Sequence, residues 1–187
     1  MTALLILLVL VAIVGVFMLL TYNTLIARKN QIDYAQGAID ALLKKRYDLI
    51  PNLVATVKGY ANHERELLEK VTELRARIGQ ARSDDERLGL EGRMSALLGR
   101  LLVQLEAYPD LKANQNFLQL QAALNEIEEQ ISAARRAFNA AVVEFNNAIE
   151  MFPSNLVARW MALKRRRVFE IAESASETPN VGRLFGK

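Results

Sequence analysis

The residues of this sequence best suited to chemistry are His63 and Glu64, which stand next to each other. A histidine and a glutamate in this order begin the zinc motif H-E-x-x-H, but Leu67 takes the position of the second histidine. His63 is the single histidine and cysteine is absent, which excludes a histidine-rich or thiolate metal site within one chain. We therefore predict no metal and no cofactor, and we interpret His63 as a packing or surface residue.

Three charged residues fall on the apolar stripes of predicted helices: Arg28, Arg46 and Glu64. A buried carboxylate at Glu64 would need a partner and would fix the register of its helix, whereas a locally wide stripe would turn the same side chain to water. The sequence leaves both alternatives open. For the two arginines, we favour stems that pack on the stripe with guanidinium groups in water, over buried ion pairs.

Four asparagines also stand out: Asn114, Asn116, Asn139 and Asn146. They are suited to helix caps, inter-helix hydrogen bonds or ligand contacts, and we favour the first two. The sequence has no Gly-rich phosphate loop, no serine nucleophile elbow and no spaced pair of carboxylates. We therefore predict that the protein is not an enzyme.

An apolar segment close to the N-terminus, Ala3–Leu20, contains no polar side chain. A helix of about 20 residues crosses a hydrocarbon core of about 30 Å, and the flanking Thr21 and Tyr22 can extend this one. The alternative is a cleaved signal peptide, which needs a basic stretch before the apolar run and a small-x-small cleavage site after it. The sequence has neither, so we predict an uncleaved anchor over residues 1–21.

The charges that flank the anchor predict its orientation. Arg28 and Lys29 follow it closely, and no lysine or arginine precedes it. The positive-inside rule then puts the C-terminal domain in the cytoplasm and the N-terminus outside. The net charge of the whole chain is only +3, so we predict no nucleic-acid partner.

Beyond the anchor, apolar residues follow a helical period almost throughout. The clearest case is a heptad pattern in the second half of the chain. One seam position holds Phe117, Leu124, Ile131, Phe138 and Phe145, and the other holds Leu120, Ile127, Ala134, Ala141 and Ala148. A second pattern has its seams at Ile50, Val57, Val71 and Ile78 and at Leu53, Tyr60, Leu67 and Leu74.

Local breakers divide this helical region. Breaks are expected at Pro51, Pro109 and Pro153, and Ser83 with Glu86 forms a capping box. The predicted helices cover 22–49, 52–80, 84–107 and 112–151, with a short fifth helix from 155 to roughly 172. The predicted fold is therefore all-α: an N-terminal transmembrane helix, an antiparallel up-and-down four-helix bundle and a short C-terminal helix. The alternative carries the first helix through a kink at Pro51 into one long rod.

These elements define four regions: the anchor at 1–21, the bundle domain at 22–152, a basic amphipathic helix at 153–172 and a flexible tail at 173–187. The basic region carries the residues that we assign to a membrane interface: Trp160, Lys164, Arg165, Arg166 and Arg167. The last helix of an up-and-down bundle returns to the bilayer, where such a segment suits anionic lipid head groups. The alternative is a solvated basic end on a helix that packs on the bundle.

A series of motifs follows the anchor. They are Tyr22-Asn23, Leu43–Val54, Val57–Ala61 with His63-Glu64, Tyr108–Asn114 with Asn116-Phe117, Ala134–Arg136 with Phe138-Asn139, Phe145-Asn146, and Phe152–Asn155. This series resembles the bacterial LemA family over most of the chain. The resemblance implies an antiparallel helical bundle on one N-terminal transmembrane helix in the bacterial inner membrane, with its short N-terminus outside. One relative serves in magnetosome membrane formation, but most members have no established biochemical activity, so the resemblance informs fold and topology far more than function.

The expected function is structural. Apolar residues beside the heptad seam, Leu118, Val142, Val143 and Ile149, exceed what a four-helix bundle needs and must meet a neighbour, lipid or a more enclosed core. We predict a membrane-anchored scaffold that self-associates into a homo-oligomer larger than a dimer and organises membrane or membrane-protein assemblies. The alternative is an adaptor whose cytoplasmic bundle binds one specific protein, for instance a membrane protease or a signalling protein.

Overall fold

The computed structural model describes residues 1–60 and 64–169. This part of the chain forms six helices and no strand: α1 (Thr2–Val57), α2 (Arg65–Ile78), α3 (Asp84–Leu105), α4 (Pro109–Lys112), α5 (Gln115–Glu150) and α6 (Ser154–Trp160). The predicted all-α class is confirmed. His63 and the predicted flexible tail at 173–187 lie outside the described residues.

Helix α1 begins with the apolar segment. It is long and apolar enough to cross a membrane, and none of its most apolar 18-residue window is buried within the protein. The prediction of one N-terminal apolar helix is confirmed. This helix continues directly into residues that pack in the interior, beginning at Leu25.

The predicted break at Pro51 is wrong, because α1 continues through this residue to Val57. A proline inside a helix removes the hydrogen bond to the carbonyl four residues earlier, here that of Tyr47. Arg75 of α2 supplies the missing donor, since its Nε donates to the Tyr47 carbonyl at 3.1 Å. The alternative of one helix that continues through Pro51 is therefore correct only up to Val57, where α1 ends.

A turn rather than a helix follows α1. Residues 58–60 form this turn, in which the Tyr60 amide donates to the Val57 carbonyl at 2.9 Å. Because of this turn, the described residues form neither one helix over 52–80 nor a single rod.

The caps of the later helices follow their sequences closely. Ser83 accepts a hydrogen bond from the Glu86 amide at 3.2 Å and so caps α3, which confirms the serine half of the predicted capping box. The Glu86 carboxylate accepts from the amide of Arg82, one residue before the cap, at 3.0 Å. The Asn114 side chain accepts from the amides of Asn116 and Phe117 at 2.9 and 3.2 Å and caps α5. The preference for caps is thus confirmed at Asn114.

The predicted C-terminal helix is much shorter than expected. Helix α6 ends at Trp160, and the chain beyond Met161-Ala162 is not helical. The Ala162 amide donates to the Arg159 carbonyl and the Leu163 amide to the Ala158 carbonyl, which is the Schellman pattern that ends a helix. Ala162 has a φ of 52°, in the left-handed region that this pattern requires. The basic residues that follow, 164–167, therefore lie outside regular secondary structure.

The chain divides into two compact units. One, the anchor-bearing unit, consists of Met1–Lys44 and Glu129–Phe169, and the other, the second unit, contains Lys45–Glu128. Helices α1 and α5 contribute residues to both units. The second unit has one continuous core of apolar residues: Ile50, Leu53, Val57, Leu68, Val71, Leu74, Ile78, Leu90, Met94, Leu98, Leu101, Leu105, Leu111, Phe117 and Leu124.

The anchor-bearing unit buries apolar residues of three helices: Leu25, Ile32, Ala35, Ile39 and Leu43 of α1, Ile131, Phe138, Ala141, Val142, Phe145 and Ile149 of α5, and Val157 and Ala158 of α6. The five predicted seam residues of α5 from Phe117 to Phe145 are all buried, two of them in the second unit and three in the anchor-bearing unit. Of the apolar residues beside this seam, Val142 and Ile149 are buried, whereas Leu118 and Val143 are exposed. A more enclosed core thus accounts for part of the surplus.

Candidate functional site

The most enclosed polar cluster of the described residues surrounds Arg46 in the second unit. Arg46 is 0% exposed, and its Nη1 donates to Ser95 Oγ at 2.8 Å and to Glu128 Oε1 at 2.6 Å. Its Nη2 forms an ion pair with Glu91, which is only 1% exposed. Ser95 Oγ also donates to the second carboxylate oxygen of Glu128 at 2.9 Å. The guanidinium group thus joins α1, α3 and α5.

The favoured interpretation of Arg46, a guanidinium group in water, is therefore wrong. Snorkelling needs a path to solvent, and α3 and α5 close that path with two carboxylates and a hydroxyl. The buried ion pair that we weighed as the alternative is observed. Glu91 could have been found from sequence, because it lies seven residues before the buried Leu98 and hence on the same face of α3.

Arg28 differs from Arg46 although it lies on the same helix. Its side chain is 39% exposed, and its Nη1 donates to Glu144 Oε2 at 3.1 Å and to the Glu144 carbonyl at 3.4 Å. Both groups belong to the anchor-bearing unit. The Arg28 head group thus reaches water and at the same time pairs with Glu144, so it is not the buried ion pair that Arg46 forms.

Glu64 lies half-buried just before α2, and its carboxylate accepts a hydrogen bond from the Tyr108 hydroxyl. This bond raises the pKa of Tyr108, because ionisation would break it and bring two negative charges together. Glu64 therefore has a partner, and the bond joins the start of α2 to the residue that precedes α4. Asn114 Nδ2 reaches the Tyr60 hydroxyl at 3.4 Å in the same unit.

Asn139 and Asn146 hold the C-terminal segment. Asn146 donates to the Arg166 carbonyl and accepts from the Arg166 amide, both at 2.9 Å. Asn139 makes the same two bonds with Phe169, at 3.0 and 2.7 Å. We call Asn139 and Asn146 the asparagine pair and residues 164–169 the strap. Sequence reasoning listed ligand contacts for asparagines but missed that the ligand would be the chain itself.

Two side-chain contacts accompany the asparagine pair. Arg165 Nε lies 3.2 Å from Glu150 Oε1, and the ring of Phe169 packs at a tilt on that of Phe138, with 4.5 Å between centroids. Asn139 is half-buried and Asn146 is buried. Their side-chain amides therefore point at the strap and are shielded from water. The arrangement can bind an extended peptide backbone.

The predicted membrane-interface residues are all exposed. Trp160 is 74% exposed at the end of α6, and Lys164, Arg165, Arg166 and Arg167 are exposed along the strap. Three further large apolar side chains are exposed in the ten residues before Trp160: Met151, Phe152 and Leu156. Leu156 and Trp160 are four residues apart and share a face of α6. We call these four residues the apolar group.

Comparison with known proteins identifies related sequences. The model of the LemA family matches residues 35–182. The chain is 31% identical over 152 residues to Protein LemA of Metamycoplasma hominis. This alignment covers 81% of this chain and 69% of that protein. The chain is also 22% identical over 188 residues to Magnetosome protein MamQ of Magnetospirillum gryphiswaldense and to Magnetosome protein MamQ 1 of Paramagnetospirillum magneticum, with 87% of this chain and 69% of each relative covered.

Proposed function

Because this chain belongs to the LemA family, we propose that it is a membrane-anchored helical scaffold that self-associates and organises membrane or membrane-protein assemblies. The proposal assigns it no catalytic role. Similarity to proteins named for the magnetosome supports a role in organising a cellular assembly.

The observation that carries the proposal is the continuity of α1 within the anchor-bearing unit. The exposed apolar residues up to Leu20 and the buried residues from Leu25 to Leu43 belong to one helix, with no linker between them. A helix transmits position and orientation, whereas a flexible tether leaves a domain free to rotate. The anchor therefore holds this unit at a fixed distance from the bilayer, as a scaffold requires.

We further propose that α1 and α5 run antiparallel in this unit. Arg28 contacts Glu144, and Ile131, almost four turns earlier in α5, is buried. Buried residues of α1 extend from Leu25 to Leu43, while those before Leu20 are exposed. An antiparallel course gives Ile131 a partner near Leu43, whereas a parallel course would set it beside the exposed apolar segment. This direction supports the predicted up-and-down four-helix bundle.

The antiparallel course brings the apolar group to the level at which α1 leaves the membrane. We propose that Met151, Phe152, Leu156 and Trp160 enter the interface, and that Lys164–Arg167 lie beside anionic lipid head groups. Trp160 is the only tryptophan, so its fluorescence reports on this site alone. In the full-length protein in vesicles, brominated lipids should quench it. Unchanged emission would show that α6 faces water or protein.

We also propose that the helical region lies in the cytoplasm, since Arg28 and Lys29 follow the apolar segment. A reporter fused after Lys187 should then behave as cytoplasmic. Access of an extracellular protease to this reporter in intact cells would reverse the orientation.

Self-association is supported by apolar side chains that are exposed away from the membrane segment, among them Tyr34, Val103, Leu118 and Val143. Anchors confine all copies to one plane in one orientation, which raises their effective concentration, so that modest contacts suffice. Light scattering of the full-length protein in mild detergent should give a mass above that of a dimer. Crosslinking in native membranes is the control, and a monomer in both measurements would contradict the scaffold.

An adaptor is the second candidate, and a cleft in the second unit favours it. The cleft is lined by Leu67, Gly99, Arg100, Val103 and Gln104, and it offers an exposed valine beside a cation. A specific partner would seat an apolar side chain there. Purification of a monomer with one other protein at a fixed ratio would support this function over the scaffold.

A further inference from the structure

We infer that the asparagine pair is a binding site for an extended peptide and that its occupant in the assembled protein is the strap of a second copy. The inference rests on the proposed self-association and names the site that carries it. In the structure described here, the strap of the same chain occupies the site.

The spacing of the pair matches an extended peptide. Asn139 and Asn146 are seven residues apart on α5, which corresponds to about 10.5 Å along a helix. Their partners Phe169 and Arg166 are three residues apart, and three residues of extended chain cover about 10 Å. Each asparagine donates to a carbonyl and accepts from an amide of the same residue. The site therefore recognises backbone in an extended conformation.

The flanking contacts give the site a preference for one sequence. Phe138 favours an aromatic ring at the position that Asn139 holds. The exposed Glu150 adds a weaker preference for a cation one residue before the position that Asn146 holds. The strap satisfies both with Arg165 and Phe169. Since every copy carries this sequence, the strap of any copy fits the site of any other.

The connection between α6 and the strap favours exchange. It consists of Met161–Leu163, and Ala162 adopts a φ of 52° there. A side chain with a Cβ is strained in this left-handed region, and glycine normally takes the position. Opening the connection relieves that strain, and short strained hinges promote domain swapping. The strap contacts broken in one copy are remade in its neighbour, so the exchange keeps all four bonds to the asparagine pair and loses only the two backbone bonds that end α6.

The exchange can be tested with single cysteines, because the natural chain has none. Two full-length copies with tags of different mass are produced together, one with Glu150→Cys and the other with Arg165→Cys. A short bismaleimide is applied to native membranes. Exchange predicts a mixed crosslinked product, since residues 150 and 165 face each other only through a bound strap. The Glu150→Cys copy with a Lys70→Cys copy is the control for random collision.

A second variant separates the site from proximity alone. Asn139→Leu with Asn146→Leu, introduced into the Glu150→Cys copy, removes the four backbone bonds at similar side-chain size, and the mixed product should be lost. Circular dichroism verifies that this copy retains its helices. A mixed product no stronger than the Lys70→Cys control, or one that survives the double substitution, would overturn the inference.

The same samples distinguish the two proposals. If light scattering gives an oligomer but no mixed product forms, strap exchange is wrong and the scaffold stands on other contacts. If light scattering gives a monomer and only the double-cysteine chain Glu150→Cys with Arg165→Cys crosslinks internally, both exchange and scaffold are wrong.

Discussion

Arg28 and Arg46 are the same residue type on the same helix and on the same predicted stripe, yet Arg28 is partly exposed in the anchor-bearing unit and Arg46 is fully buried in the second unit. Arg28 reaches solvent and pairs with one exposed carboxylate. Arg46 is enclosed and joins two carboxylates and a hydroxyl. The difference comes from α3, which belongs to the second unit and provides Glu91 and Ser95. A stripe predicts the direction of a side chain, whereas neighbouring helices decide its depth.

The comparison also separates two kinds of contribution to stability. An exposed ion pair gains little, because water screens the attraction and two long side chains lose freedom. A buried pair carries a desolvation cost for each charge, so the intact pair adds little to the free energy of unfolding. Loss of one partner is costly, because the other charge stays buried without its counter-charge. Substitution of the two arginines should therefore give very different results.

The largest expected effect is at Arg46. Arg46→Met should reduce the free energy of unfolding by about 3–5 kcal/mol, because the Glu91 carboxylate remains enclosed without this guanidinium group. Urea unfolding of the full-length protein in detergent, followed by circular dichroism, measures it. Arg28→Met is the matched control. Equal losses in both variants would remove the distinction between the two units.

The double variant Arg46→Met with Glu91→Leu sharpens the same point. It replaces both enclosed charges by apolar side chains, so much of the lost stability should return. Failure to recover would mean that the shape of the cluster, rather than its charge, sets the cost.

A smaller effect is expected at Pro51, where an exposed arginine of the second unit corrects a backbone defect. Arg75→Met should cost about 1 kcal/mol, because the Tyr47 carbonyl loses its donor. Pro51→Ala restores the helical donor to this carbonyl, so Arg75→Met should cost less in the Pro51→Ala background. Unfolding of the four proteins of this cycle gives the coupling. A coupling of zero would show that water already satisfies the carbonyl.

These contacts mark the limit of what the sequence could predict. The heptad seam of α5, the cap at Ser83 and the apolar segment of α1 depend on neighbours within one helix, and periodicity or local chemistry reveals them. The continuity of α1 through Pro51 depends on Arg75, which is distant in sequence. Propensity alone placed a helix end there, and a tertiary donor overrode it.

The same reason explains the failures at the candidate sites. The burial of Arg46 needs α3, and the end of α6 depends on a strap whose backbone bonds go to the asparagine pair. Two asparagines seven residues apart on one helix were visible in the sequence, but the extended partner was not, because the basic strap was assigned to a helix. Bonds between an amide side chain and a distant backbone have no periodic signature.

The next effect concerns pH at the partly buried contact between Glu64 and Tyr108. The raised pKa of Tyr108 means that the protonated hydroxyl is favoured in the folded state. Its contribution is complete below the unfolded pKa of about 10 and is lost as pH rises through the higher folded value. Stability should therefore fall in that alkaline window, and Tyr108→Phe should abolish this part of the fall.

Absorbance titration of tyrosinate tests the assignment, with the difference between the natural protein and Tyr108→Phe isolating one of five tyrosines. Glu64→Gln keeps an acceptor but removes the charge, so the pKa of Tyr108 should move back toward its ordinary value. If Glu64→Gln leaves the titration unchanged, burial rather than Glu64 causes the shift.

The smallest expected effect is the ion pair between Arg28 and Glu144, and it completes the comparison with Arg46. Both side chains reach water and their charged atoms are 3.1 Å apart, so the coupling should be at most about 1 kcal/mol. A double-mutant cycle of Arg28→Met and Glu144→Gln, measured by urea unfolding, gives this coupling. Because solvent ions screen exposed charges, the coupling should shrink further between low and high salt, whereas the cost of Arg46→Met should change little. A coupling that matched the loss at Arg46 and resisted salt would mean that detergent or a second copy covers Arg28 and excludes water from the pair.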